Sequence, residues 1–371
     1  MTTLAQSQAI SVTAPALVAY IVVDGALTDP FSLGFVVYER VTSRASRTRV
    51  YPVSGAQAVD LVADRLGTGR FAATWAVASN AKLGDYEIVW TFTFESGGPS
   101  YTYAQPFEVV KEVWDAGGRA YATVQSFRDE GVTVGAISDA KLYRKILAAS
   151  QLFELYTERT FVPEALTVKL DGNGGKELLL RDPIIALESI ALTSDLVVPS
   201  VPSLDLSAIK VYNRHITEGL RNPDDRESPR IAWAEDGIGS YSGYGYNGYD
   251  RARWTADLCW RWPRGTQNVI ITGLFGYTEA NGTPTGGVPQ QVARAVQLLT
   301  LRDLPALTDT AAREDANRWR LTGERTRDQA YTMLNGTDIG QRRAAIGSFT
   351  GDPAIDGIIE MFKRPFVVGG A

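Results

Sequence analysis

The stretch GDYEIVWTFTFESGG, residues 84–98, alternates polar and apolar side chains from Asp85 to Glu95, with Val89 the one exception. Tyr86, Ile88, Trp90, Phe92 and Phe94 fall on one side, and Glu87, Thr91 and Thr93 on the other. A period of two fits a half-buried strand and excludes a helix, and Gly97-Gly98-Pro99 ends the run. GRFAATWAVAS repeats the pattern with Phe71, Ala73, Trp75 and Val77, while FSLGFVVYERV and SYTYAQPFEVVKE supply further strands. Short strands broken by regular turns predict an all-β sandwich over residues 1–112.

Composition narrows what such a chain does. With 371 residues it is long enough for more than one core. A net charge of −5, without a block of one sign, argues against a nucleic-acid binder held by phosphate contacts. The chain has one cysteine, Cys259, and one histidine, His215, which exclude an internal disulfide and a Cys/His zinc cage. Trp75 and Trp90 must therefore hold the sandwich by aromatic packing. His215, in KVYNRHITEGL, reads as an ordinary half-exposed strand residue, and Cys259, in TADLCWRW, as a small core hydrophobe. The apolar run Ala14 to Val23 is too short to span a bilayer and follows no basic segment, so a soluble chain without a membrane partner is expected.

Beyond the sandwich the texture changes. Gly117-Gly118 marks a linker at 113–122. A helix is expected at 123–131, with Thr123 as N-cap and Gly131 as its stop. A second follows at 138–158, capped by Ser138, with Leu142, Ile146, Ala149, Phe153 and Tyr156 as its apolar stripe. Leu147 and Leu152 widen that stripe, so both flanks are expected to be covered. Residues 161–287 return to β structure, with a hairpin around Asp171–Gly175. A third helix, 289–304, starts with Pro289 in its first turn and carries Val292, Ala295, Val296 and Leu299. These helices and the β-rich insertion form one core, 123–305, followed by an extension at 306–371. There Asp352 caps a short helix with Pro353 at its first position and an apolar face of Ile355, Ile358, Ile359 and Phe362. A helix that short needs something to dock on.

Candidate chemistry is sparse. DGNGG, 171–175, lacks the closing carboxylate of a calcium loop and opens a strand where a phosphate loop opens a helix. The acid pairs Glu235/Asp236 and Asp224/Asp225 sit in polar loops and read as solvated acids. Tyr241, Tyr244, Tyr246 and Tyr249, set among Gly, Ser and Asn, have the composition of an adaptable binding loop. A surface loop, an intersubunit contact and a stacking platform for sugars or bases remain open for them. The arginines 318, 320, 325, 327, 342 and 343 are diluted by acids, as in a solvated face or an ion-paired interface. No catalytic, cofactor-binding or metal-ligating residue is assigned, and no cofactor or enzymatic activity is expected. A glycosidase using Glu235 is the enzymatic alternative.

Two resemblances add to this reading. Leu83 to Trp90, LGDYEIVW, resembles the penultimate strands of immunoglobulin-like modules. The order of segments over 120–305 resembles the head-to-tail connector (adaptor) proteins of long-tailed bacteriophages and gene-transfer agents. The matching positions are Ala148-Ala149-Ser150, Thr157, Arg159, Phe161, Pro263, Gly265, Asn268, Gly276, Tyr277 and Pro289. The resemblance implies an α+β protein: a helical connector core with a β-rich extension, here behind an immunoglobulin-like sandwich. It implies a virion protein of the neck, made in the bacterial host cytoplasm. Its copies would form a ring, typically of twelve, between the portal and a stopper or tail protein, with packaged DNA passing through the lumen. It also implies that the C-terminal segment reaches the portal, which makes Phe349, Asp352, Ile355, Ile358, Ile359, Phe362, Arg364 and Phe366 the docking candidates. Thr157, Arg159 and Phe161 read as a structural joint, with Arg159 tying the helix C-terminus to the next strand. The alternative is a virion-surface, carbohydrate-binding accessory acting through the sandwich and the tyrosine loop.

Overall fold

The computed structural model describes residues 2–6, 8, 17–40, 47–113, 119–192, 204–219, 224–234, 261–304, 349–350 and 352–364. The N-terminal strands are β1 (Thr2–Ala5), β2 (Val18–Tyr20), β3 (Val22–Val23), β4 (Ala26–Leu27), β5 (Ser32–Arg40), β6 (Arg47–Tyr51), β7 (Gln57–Ala58), β8 (Arg65–Gly67), β9 (Arg70–Ala72), β10 (Gly84–Thr93) and β11 (Tyr101–Val110). One sheet runs β1-β11-β10-β5-β6, with β7 also on β5, and a small sheet runs β2-β9-β8. The alternation of β10 does what its period requires. Tyr86, Ile88 and Trp90 are buried beside Phe35, Val37 and Phe107 of the neighbouring strands, and Leu17, Ala19, Phe71 and Ala73 close the same core. Trp90 packs 5.5 Å from Phe35, and Trp75 packs 5.9 Å from Phe107, ring centre to ring centre. Farther along the same strands the face opens. Phe92, Phe94 and Tyr103 are half-buried, and Tyr101 is exposed.

This β region is tied into the rest of the molecule, which departs from a sandwich confined to 1–112. The turn at Asp24-Gly25 folds β3 onto β4, and β4 runs parallel to β14 (Ile184–Leu192), pairing Ala26 with Leu187. Together with β12 (Glu164–Gly172) and β17 (Gly265–Phe275) they form a sheet ordered β12-β17-β14-β4-β3. The physical reason is burial: Leu27 covers Ile185, Ala186 and Leu274, which β14 and β17 would otherwise leave bare. Arg70 adds an ion pair to Glu188 at 3.1 Å.

Of the residues expected to form a linker, 114–118, with Gly117-Gly118, lie outside the described residues, and 120–122 belong to the core. Ala120, Tyr121 and Ala122 are buried among the helices. The helices are α1 (Val124–Asp129), α2 (Asp139–Thr157), α3 (Arg214–Thr217), α4 (Gln290–Asp303) and α5 (Pro353–Phe362). Thr123 caps α1 by accepting from Ser126 N, and Gly131 follows with φ 93°. Ser138 makes no side-chain cap bond at the start of α2; Asp139 instead takes Arg128 and the backbone N–H of Lys111. The buried stripe of α2 is Leu142, Tyr143, Ile146, Leu147, Ala149 and Phe153, whereas Leu152 lies at its exposed edge. Pro289 is the residue before α4 with extended ψ 137°, not part of its first turn.

The last helix also differs from expectation. Asp352 accepts from Ala354 N and Pro353 opens α5, as the sequence predicts. Its apolar face is not left without a home: Ile355, Ile359 and Phe362 are buried against α2 and α4 in the chain's own core. The expected hairpin at 171–175 is likewise a crossing between sheets. β12 pairs with β17, whereas β13 (Glu177–Leu179) pairs with β16 (Arg230–Trp233), itself beside β15 (Ile209–Val211). Sequence periodicity marks strands and turns but not which strand pairs with which.

Glu108, at the end of β11, joins the β region to the helices. It is fully buried and accepts from Thr3 Oγ1 (3.2 Å), Val124 N (3.1 Å) and Gln125 N. Burial pushes its carboxyl up to about 7, against the three hydrogen bonds. The folded chain thus holds a proton that the unfolded chain has released. Stability falls as pH rises from about 4.5 to about 7, by about 3 kcal/mol at most. Glu108→Gln removes this titration. Urea unfolding at pH 5 and pH 8 should show wild type losing stability relative to the variant as pH rises; a difference that does not change with pH would refute the assignment.

Candidate functional site

The residues singled out around Arg159 are brought together where α2 ends. Thr157 Oγ1 bonds back to Phe153 O at 2.8 Å, and Glu158 reverses the chain in the left-handed region, φ 55°. Phe161 then points into the core among Tyr121, Phe153, Tyr277 and Phe362, all with ring centres between 5.5 and 5.9 Å away. Tyr277 reaches this point because β17 exits through Gly276. A Cβ there would stand 2.5 Å from Val162 O, and φ is 153°, so only glycine lets the strands close. Tyr277 N then donates to Thr160 O at 2.7 Å.

Arg159 is buried, with its side chain 5% exposed, and its guanidinium lies 4.4 Å from the Tyr277 ring centre. Arg226 stacks on the same ring at 4.5 Å. Tyr277 OH donates to Glu227 at 2.9 Å, and the other Glu227 oxygen is 3.8 Å from Arg159. Burial lowers the Arg159 pKa, with Tyr277 and Glu227 opposing, and burial raises that of the Tyr277 phenol. Arg159 therefore does not cap the helix carbonyls as expected. The main-chain N–H of Arg364 takes Thr157 O at 3.0 Å, and its side chain pairs with Asp182. Tyr121, Arg226 and Glu227 were not legible as parts of this joint; the Gly-Tyr exit of β17 was the one signal for Tyr277.

The other matched positions also have structural work. Ser150 Oγ accepts from Tyr121 N at 3.1 Å and bonds Ile146 O. Asn268 accepts from Gly172 N at 2.8 Å and donates to Pro263 O at 3.0 Å, stitching the start of β17 to the end of β12. A Cβ on Gly265 would collide with Asn268 at 2.6 Å.

Several expectations are corrected here. His215 is a residue of α3, 2% exposed, and burial with the nearby Arg226 charge lowers its pKa to about 4. Asp224 and Asp225 are ion-paired rather than solvated. Asp225 is buried and holds Arg214 through two guanidinium nitrogens at 2.9 and 3.0 Å, and Asp224 holds Arg226. Of the docking candidates, Ile355, Ile359 and Phe362 are buried, Ile358 is half-buried and Phe349 packs 5.4 Å from Tyr156. Asp352 caps its helix and Arg364 is paired, so these side chains are engaged within the chain. Phe366, Glu235, Asp236, Cys259, the tyrosines 241, 244, 246 and 249, and the arginines 318–343 lie outside the described residues. Among the described residues no group of three or more His, Cys, Asp or Glu is placed to hold a metal ion, and no helix is long and apolar enough to cross a membrane.

No protein-family model matches the chain, and no curated protein matches it. Among solved structures, a chain from the neck of an empty GTA particle computed with C6 symmetry is 17% identical over 67% of this chain and 91% of its own, with a TM-score of 0.34. A TM-score that low does not establish a shared fold.

The stacked pair predicts a measurable coupling. In a double-mutant cycle of Arg159→Met and Tyr277→Leu, followed by denaturant unfolding, the coupling energy should be about 1–2 kcal/mol. Additive effects would mean that the guanidinium and the ring are merely neighbours.

Proposed function

We propose that this chain is a connector subunit of a bacteriophage-type particle, one of a ring of copies joining the portal at the head vertex to the tail around the DNA channel. The observation that carries this reading is the convergence of the connector-like motifs. Thr157, Arg159 and Phe161 from the end of α2 and Gly276 and Tyr277 from the exit of β17 meet in one buried joint, and α4, which follows Pro289, packs on α2. Motifs far apart in sequence converge when they are parts of one structural unit, which supports the connector reading. A heterologous interface closing into a ring gives an acidic chain a use that needs no catalytic centre. Mixed-sign surfaces fit such an assembly, because neighbours must meet in one register. In this reading the C-terminal end reaches the portal. The buried face of α5 holds that end in place, so portal contacts fall to its exposed side and to the residues after Arg364.

A second reading, an accessory protein on the particle surface, draws on the partly open aromatic face of Phe92, Phe94, Tyr101 and Tyr103, whose rings contact one another. Exposed aromatic platforms suit a sugar ring. Electron microscopy of lysates made without this gene separates the two readings. Separate heads and tails are the expected result. Complete, joined particles that fail to adsorb would replace the connector with the accessory.

A further inference from the structure

The sheet β12-β17-β14-β4-β3 ends in two different edges. At one, β12 offers nine residues, Glu164–Gly172, and among the described residues it pairs only with β17. Alternate backbone N–H and C=O groups along its other side therefore point away from the sheet. The apolar core is open at the same place. Leu166, Val168 and Leu170 are half-buried, whereas Val269 and Ile271 of β17 and Ile190 of β14 are fully covered. The strand carries no proline; of its charges, Glu164 shares the face of Leu166 and pairs with Arg119 at 3.0 Å, and Lys169 and Asp171 are exposed on the other face.

The far edge is β3. Following the pairings across the sheet, β12 is antiparallel to β17, β17 to β14, β14 is parallel to β4, and β4 is antiparallel to β3. β3 thus runs opposite to β12. In a ring, where each copy is rotated but not inverted, the β3 edge of one copy meets the β12 edge of the next as an antiparallel pair. The charges agree: Lys169 is exposed on β12, and Asp24 is exposed directly after β3. Pairing β12 with another β12 would bring two Lys169 side chains near each other, which is unfavourable. We propose that a second copy of this chain adds its Val22–Val23 edge antiparallel to Glu164–Gly172, so that this sheet continues from copy to copy.

This deepens the ring reading and rests on it for the rotational relation. The test uses full-length chains with Cys259→Ser, one carrying Val23→Cys and the other Lys169→Cys. Both replaced side chains are exposed, which leaves the cores intact. The two are mixed, and also coexpressed during particle assembly, then oxidised and run without reductant. A disulfide-linked dimer should form at least about tenfold faster in the mixture than in either variant alone. A Lys169→Cys chain that cross-links to itself as fast as the mixture overturns the proposal in favour of a two-fold contact. Absence of the cross-link where sizing shows an oligomer overturns it and leaves the connector reading intact. Absence in both the solution and the assembling sample overturns it as well. A cross-link between the variants, together with heads and tails that still join when the gene is deleted, keeps the strand pairing and removes only the connector reading.

Discussion

The packing of Tyr277 against Phe161 and Arg159 is the contact on which the rest of the structure depends. Its backbone N–H closes onto Thr160, its hydroxyl reaches Glu227, and its ring meets Phe161, Phe362, Arg159 and Arg226. Four chain segments thereby share one buried point: the end of α2, the exit of β17, the loop before β16 and the end of α5. Two guanidinium groups on one ring would repel in an apolar site. Here Asp224 neutralises Arg226 and Glu227 faces Arg159, so the aromatic face attracts both cations at a tolerable desolvation cost.

The same economy joins the β region to the helices. Glu108 supplies a carboxyl where α1 begins and needs acceptors, and β3–β4 covers an apolar surface that β14 and β17 leave open. The parts are interlocked rather than strung on a linker.

Much of this was readable in the residues. The alternation of residues 84–94 fixed which side chains of β10 lie inward, and the spacing of Leu142, Ile146, Ala149 and Phe153 fixed the buried face of α2. Thr123 and Asp352 were legible as caps because a side-chain oxygen before a helix has one obvious use. Those signals are local: a period or a cap lies within a few residues.

The tertiary structure decided what local signals do not contain. Nothing near β3–β4 in sequence says that it pairs with β14, or that β12 and β13 part into different sheets. Burial of Asp225 follows from its pairing with Arg214, which composition reads only as a loop residue. The amphipathic pattern of α5 established that the helix needs a partner; only the fold shows that the partner is its own core. Periodicity is a property of neighbouring residues, so the sequence alone determined which faces must be covered. Pairing between distant segments depends on how whole surfaces fit, and that choice belongs to the folded chain.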